Sequence, residues 1–262
     1  MTKDLLRQGV VVLCTLASLA GIYLINAGLT PLKSVSEIAG DGDSANLTLP
    51  AGYAFGIWVP IYLGFLVYAL YQVRPGRRAH PHFRRTGYPV ALSIVLSLVW
   101  TILVGYGRTT DAYLVQWVML GVALVLVRRW GKPAAGESRL PGWLKIPFCL
   151  YAGWLTVAMI PFTTSLLQDA GWRGEPLSPA AWAVGLYLAA VVIGYLTYRY
   201  LAEPWYLFSI AWALSGIAVR VPGPVGLVAG ILAGLVVLLM LRHLPGAGPA
   251  ASVNALPTSP EA

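Results

Sequence analysis

The chain has 262 residues, of which 58% are apolar and 11% charged, with a formal net charge of +8 and a mean hydropathy of +0.70. A soluble domain carries about 25% charged residues, so that class is excluded. The apolar runs are continuous and do not alternate in segments of about ten residues, which excludes a β-barrel and leaves an all-α integral membrane protein, each span satisfying its backbone hydrogen bonds internally.

Eight apolar stretches follow in chain order: residues 9–27, 53–73, 87–107, 112–127, 146–168, 180–198, 204–219 and 221–241. None contains an Asp, Glu, Lys or Arg. Most approach the roughly 20 residues an α-helix needs to cross about 30 Å of hydrocarbon; the fourth and seventh are short. The first stretch exceeds the roughly 7–15 apolar residues of a signal peptide, and residues 25–27 make a poor cleavage site, so it is read as a span. In the last, Gly226, Gly230 and Gly234 recur every fourth residue and smooth one helix face, either for packing on the seventh span or for a homodimer seam.

The positive charge is distributed by loop. Arg74, Arg77, Arg78, Arg84 and Arg85 lie between spans two and three without an acid, and Arg128, Arg129, Lys132, Arg139 and Lys145 lie between spans four and five against Glu137 alone. The alternate loops are mixed: Lys33 with Glu37, Asp41 and Asp43, Arg108 with Asp111, Arg173 with Asp169 and Glu175. Basic loops mark the cytoplasmic side, and Lys3, Arg7 and Arg242 join them, so the expected arrangement is a multi-pass inner-membrane protein, N-in and C-in. Orientation accounts for the charge without nucleic acid; membrane lipids, including anionic headgroups at the basic loops, are the expected surroundings.

Cys14 and Cys149 fall within spans, and His80, His82 and His243 fall in loops or beyond the last span, so neither a disulfide nor a metal site is expected and the histidines read as solvated. From Pro245 onward too few bulky apolar groups remain to offset the entropy of ordering, and residues 245–262 read as a disordered cytoplasmic tail. No span supplies a His, Asp or Glu to act as a general base, so neither catalysis nor a cofactor is expected, and ion-coupled transport lacks its usual ionisable residues.

What the spans carry instead is aromatic. At about 1.5 Å per residue, Trp58, Trp100 and Trp117 lie roughly 8–10 Å inside the outer ends of three successive spans. Asn26, Tyr62, Thr101 and Gln116 lie near the same layer. Such a layer suits a flat apolar ligand held by stacking and one or two hydrogen bonds, and equally an interfacial aromatic belt. Trp130, Trp143, Trp172, Trp182 and Trp205, at span ends, read as belt. Tyr151, Trp154 and Ala158 share one face of the fifth span, where Trp154 is too central for a belt. Pro60 and Pro161 are positioned to bend their helices.

The run from Pro50 through Phe55 and Trp58 to Tyr62, the Tyr151-x-x-Trp154-x-x-x-Ala158 spacing and the place of Trp100 resemble the translocator protein family (TspO/MBR, tryptophan-rich sensory proteins). The resemblance covers roughly residues 5–168. It implies a five-helix core over residues 1–168, with residues 169–244 as the three-helix extension of longer bacterial members. Members of that family bind porphyrins, haem-like tetrapyrroles or sterols beneath the first loop, as sensors or transporters. The resemblance implies Trp58, Tyr62, Trp100, Tyr151, Trp154 and Ala158 as ligand-binding residues; with Asn26, Gln116 and Trp117 from the depth argument, and Ser97, they are the candidate set. Ser97 and Phe162 stand where the family usually has Asn, and the Phe55-to-Trp58 spacing is one residue shorter than in the shorter members. The competing reading is an assembly subunit whose aromatic faces receive partner helices.

Overall fold

The computed structural model describes residues 2–35, 37–38, 46–130 and 140–242. The proposed tail, His243, Asp41, Asp43, Lys132, Glu137 and Arg139 lie outside the described residues. Eight α-helices are described: α1 (Thr2–Asn26), α2 (Trp58–Gln72), α3 (Pro81–Gly105), α4 (Thr109–Arg129), α5 (Ile146–Asp169), α6 (Pro179–Leu201), α7 (Pro204–Arg220) and α8 (Gly223–Arg242), with single 3₁₀ turns over Gly52–Ile57 and Gly142–Lys145. No strand occurs among the described residues. The chain is an all-α integral membrane protein.

Prolines and caps set several helix starts. Pro81, Pro147, Pro179 and Pro204 all lie in first turns, where a missing N–H costs nothing. Ser178 caps α6 by accepting from the Ala181 N–H at 3.2 Å. Pro60 also falls in the first turn of its helix, because the segment ahead of it winds as a 3₁₀ turn; it therefore starts α2 and does not bend its middle. Pro161 does lie inside α5.

Seven helical segments are long and apolar enough to cross a membrane. The remaining helix, α7, has 17 residues, about 26 Å at 1.5 Å per residue. It is surrounded by protein: ten of its residues, from Pro204 to Ile217, are buried.

Helices α1 to α5 close a ring in which α1 touches α2 and α3, α3 touches α4, α4 touches α5, and α5 returns to α2. The same α5 carries α7 on its outer flank, and α6, α7 and α8 pack on one another. Two glycines permit the closest approaches. A Cβ on Gly153 of α5 would collide with the Tyr206 carbonyl oxygen of α7 and lie 3.0 Å from Ser209 Cβ. One on Gly216 of α7 would lie 2.8 Å from Pro50 Cβ and 2.9 Å from Ala54 Cβ. On α8, Gly226 lies against Val221, and Gly230 faces Ala218 at 3.5 Å, as packing on α7 requires; Gly234 meets nothing within 4 Å.

Basic residues from several elements meet at one end of the bundle. Arg84 pairs with Asp4, Arg7 donates to the Arg78 carbonyl at 2.8 Å, Arg129 donates to the Arg85 carbonyl at 2.9 Å, and Lys145 pairs with Glu203. Arg7 is 2% exposed, drawn inward beside Gly87. Two expectations at this end are corrected. His80 and His82 are buried rather than solvated: His80 caps α3 by accepting from the His82 N–H at 3.2 Å, and His82 packs on Trp130 with ring centroids 4.2 Å apart. Trp130 also meets Phe148 at 5.2 Å, so it belongs to the packing of the bundle and not to a lipid-facing belt.

Gly153→Ala tests the α5–α7 contact, because the opposing atom is backbone and has little room to yield. The expected cost is about 2 kcal/mol of stability, seen as a lower thermal midpoint in detergent. Gly9→Ala, where a Cβ meets nothing within 4 Å, should leave that midpoint unchanged or raise it slightly.

Candidate ligand site

Trp58 begins α2 and stands at the centre of an aromatic cluster drawn from three helices. Its indole stacks on Tyr62 with centroids 5.1 Å apart and an interplanar angle of 16°. It meets Trp100 of α3 at 6.1 Å, Tyr151 of α5 at 6.1 Å and Trp154 of α5 edge-on at 6.4 Å. Phe55 closes on Trp154 at 5.8 Å, and Phe162 lies 6.1 Å from Trp100. Each such pair contributes about 0.5–1.5 kcal/mol beyond the area it buries, enough in sum to hold the rings in one arrangement.

Beside this cluster is a cavity of about 440 Å³, within the range of roughly 300–1,000 Å³ usual for small-molecule sites. Phe55, Trp58, Trp100, Gln116, Trp154, Ala158 and Phe162 line it, together with residues of α6 and α7 and of the segment before α2. A second, more open hollow of about 550 Å³ lies between α1, α2 and α3. Asn26, Tyr62 and Thr101 line only this second hollow, whereas Val35, Phe55, Trp58 and Trp100 line both and form the partition.

Polar groups near the rings are largely paired with one another. Trp100 Nε1 donates to Gln116 Oε1 at 3.1 Å, and Gln116 Nε2 turns to Met159 Sδ at 3.3 Å. Ser97 and Tyr151 share a hydrogen bond at 3.1 Å, and Ser97 also donates to the Ser93 carbonyl. Asn26 Nδ2 donates to the Ile22 carbonyl of its own helix at 2.8 Å. Beside the rings, what remains for a guest is chiefly their uncharged faces; Lys33, Thr109, Ser165 and Asp169 line other parts of the cavity.

The segment ahead of α2 roofs the cavity, and side chains from three other helices hold it. Asn46, 3% exposed, donates to the Pro161 carbonyl at 3.2 Å and to Ser165 Oγ at 3.0 Å. Its Oδ1 accepts from the Thr48 N–H and hydroxyl, closing an Asx turn. Tyr187 of α6 donates to the Leu47 carbonyl at 2.6 Å. From α7, Trp212 Nε1 donates to the Ala54 carbonyl at 2.8 Å and the Gly216 carbonyl accepts from the Ala51 N–H at 3.0 Å.

Of the ten candidate residues, Trp58, Trp100, Gln116, Trp154 and Ala158 share the first cavity. Ser97 and Tyr151 are fully buried behind the rings. Asn26 and Tyr62 face the second hollow. Trp117 does not join them: it is 53% exposed on the outward face of α4, touching Tyr113. Depth alone placed it with the others; the helical phase that turns Gln116 inward turns its neighbour out. Trp212 was overlooked, although a tryptophan in the middle of an uncharged span carries the same signal as Trp154. Asn46 and Tyr187 had no such mark, since their partners are backbone carbonyls more than 100 residues away.

Fold and site together define a polytopic helical membrane protein with an aromatic-walled internal cavity. The TSPO-like protein family model matches residues 8–242, and the chain belongs to that family. The match runs past residue 168, where the recognisable motifs stop, and takes in α6, α7 and the whole of α8. No curated protein and no solved structure matches the chain.

Asn46→Ala should loosen the roof. Losing the Asn46 bonds leaves buried partners unpaired at about 1–3 kcal/mol, so amide exchange over residues 47–51 should rise about ten-fold or more while exchange in the middle of α4 stays the same. Tyr187→Phe should act in the same direction, more weakly.

Proposed function

We propose that this protein is a membrane-embedded binder, acting as sensor or carrier, of a planar hydrophobic molecule such as a porphyrin, a haem-like tetrapyrrole or a sterol-like compound. The proposed orientation is N-in and C-in in the inner membrane, with residues 1–168 as the ligand-binding core and 169–244 as its extension. The observation that carries this reading is the convergence of Trp58, Trp100, Tyr151 and Trp154 from α2, α3 and α5 beside a cavity of about 440 Å³. Family membership supports it.

Recognition rests on stacking and shape. Ser97 stands where the family usually has Asn, and its hydroxyl is engaged with Tyr151 and Ser93, so it offers a guest neither an amide nor a free hydroxyl. Gln116 is engaged by Trp100 and Met159. A flat conjugated ring meets these walls without stranding a charge or an unpaired donor. The rival assembly-subunit reading requires aromatic faces turned outward; Trp117 fits it, but the main cluster points inward.

Protoporphyrin IX added to the purified protein should bind saturably, seen as a shift of its Soret absorbance. Trp58→Ala should weaken binding about ten-fold, the effect of losing about 1.4 kcal/mol of ring contact. Trp117→Ala should leave it unchanged. Equal binding by wild type and Trp58→Ala would overturn the assignment of this cavity.

A further inference from the structure

The cavity does not end at the tryptophans. Counting about 100° per residue around α5, Trp154, Ala158, Phe162 and Ser165 share one face, while Val157 and Ile160 turn toward the flank where Gly153 meets α7. Both flanks line the same cavity. It passes from one to the other beside Ala158, whose single methyl leaves the way open.

On the α7 side the walls change character. Ala213, Leu214 and Ile217 of α7 and Ala190 of α6 supply only aliphatic groups. Tyr187, the hydroxyl on that side, is already committed to the Leu47 carbonyl at 2.6 Å. Trp212 directs its N–H to Ala54. A polar end-group placed here would lose its hydration and find no partner, at a cost of about 1–3 kcal/mol. A saturated chain loses nothing.

We propose that α6 and α7 build a tail compartment, so that the ligand has two parts: a flat conjugated ring system against Trp58, Trp100 and Trp154, and a hydrocarbon tail, straight or isoprenoid, over Ala158 and between Ala190 and Ala213. This rests on the reading of the cavity as a ring-binding site and extends it. Helices α6 and α7 then set ligand specificity, because they wall the part of the cavity that the five-helix ring does not enclose. Within a bilayer a tail gains little by leaving lipid, which is as apolar as leucine, so discrimination comes from close packing against small side chains. Ala190 and Ala213, buried at 4% and 3% exposure, provide that room.

The test uses two quinones with the same ring, menadione without a tail and phylloquinone with a phytyl tail, each titrated into the full-length protein in lipid nanodiscs. Binding is read by quenching of tryptophan emission, with affinity expressed as mole fraction in the bilayer so that partitioning cancels. For the wild type, phylloquinone should bind about ten-fold tighter than menadione, the gain expected of a packed tail. In Ala213→Leu the compartment is partly filled and the ratio should fall toward one. Ala190→Leu, on the opposite wall, should do the same, and thermal midpoints of both variants identify whichever of them folds. Trp58→Ala should weaken both quinones and keep the ratio. A ratio near one in the wild type, or a ten-fold ratio surviving in a folded Ala213→Leu or Ala190→Leu, overturns the tail compartment while menadione and protoporphyrin IX binding still uphold the ring site. Loss of saturable binding by both quinones and by protoporphyrin IX overturns the ring site as well.

Discussion

The placement of the candidate site depends on how the backbone of residues 46–57, just ahead of α2, is satisfied. A backbone carbonyl or amide removed from water must find a partner inside the protein, and within a helical bundle few are free. Here Tyr187 and Trp212 donate to the Leu47 and Ala54 carbonyls, the Gly216 carbonyl takes the Ala51 amide, and Asn46 ties the turn to α5. These bonds fix the direction in which the 3₁₀ turn delivers α2. That direction aims Trp58 at Trp100, Tyr151 and Trp154 and keeps the space beside them open.

The second consequence is that α6 and α7 are structural parts of the site and not an appendix to it. They hold the roof by hydrogen bonds and wall the far side of the cavity with aliphatic groups, and α7 reaches α5 closely because Gly153 has no side chain. A 17-residue helix is tolerated among longer ones because its polar ends meet protein: Lys145 pairs with Glu203 at one end, and the Gly216 carbonyl is taken up by the roof near the other. The mostly apolar walls also decide what kind of chemistry is available. Lys33 and Asp169 are the charged residues of the lining, and with Ser97, Tyr151 and Gln116 paired internally the aromatic part offers surfaces and little polarity, which favours binding by fit.

Much of the fold was legible because lipid imposes a simple rule: a span must be long, apolar and free of charge. The eight runs all became helices, yet their ends moved. The third helix starts at Pro81, before the predicted residue 87, since Arg84 pairs with Asp4 and Arg85 offers its carbonyl to Arg129, so charge is accommodated within its first turns. The second starts at Trp58, after the predicted residue 53, since the 3₁₀ turn bound to α7 precedes it. His80 and His82 looked solvated because residue type is a statement about average surroundings, whereas His82 packs on Trp130 of another helix.

Sequence by itself determined the class of molecule, the eight apolar helices and the aromatic residues Trp58, Trp100, Tyr151 and Trp154 as the chemistry worth watching, because hydropathy and helical spacing are local properties. Tertiary structure alone decided that Trp117 faces outward, that Asn46, Tyr187 and Trp212 hold the roof, and that the cavity extends to Ala190 and Ala213. Those outcomes depend on which helix packs against which, and the packing turns on contacts between residues more than 100 positions apart, such as Tyr187 with Leu47. No local pattern encodes such a pairing; it exists only once α6 and α7 have closed on the first loop.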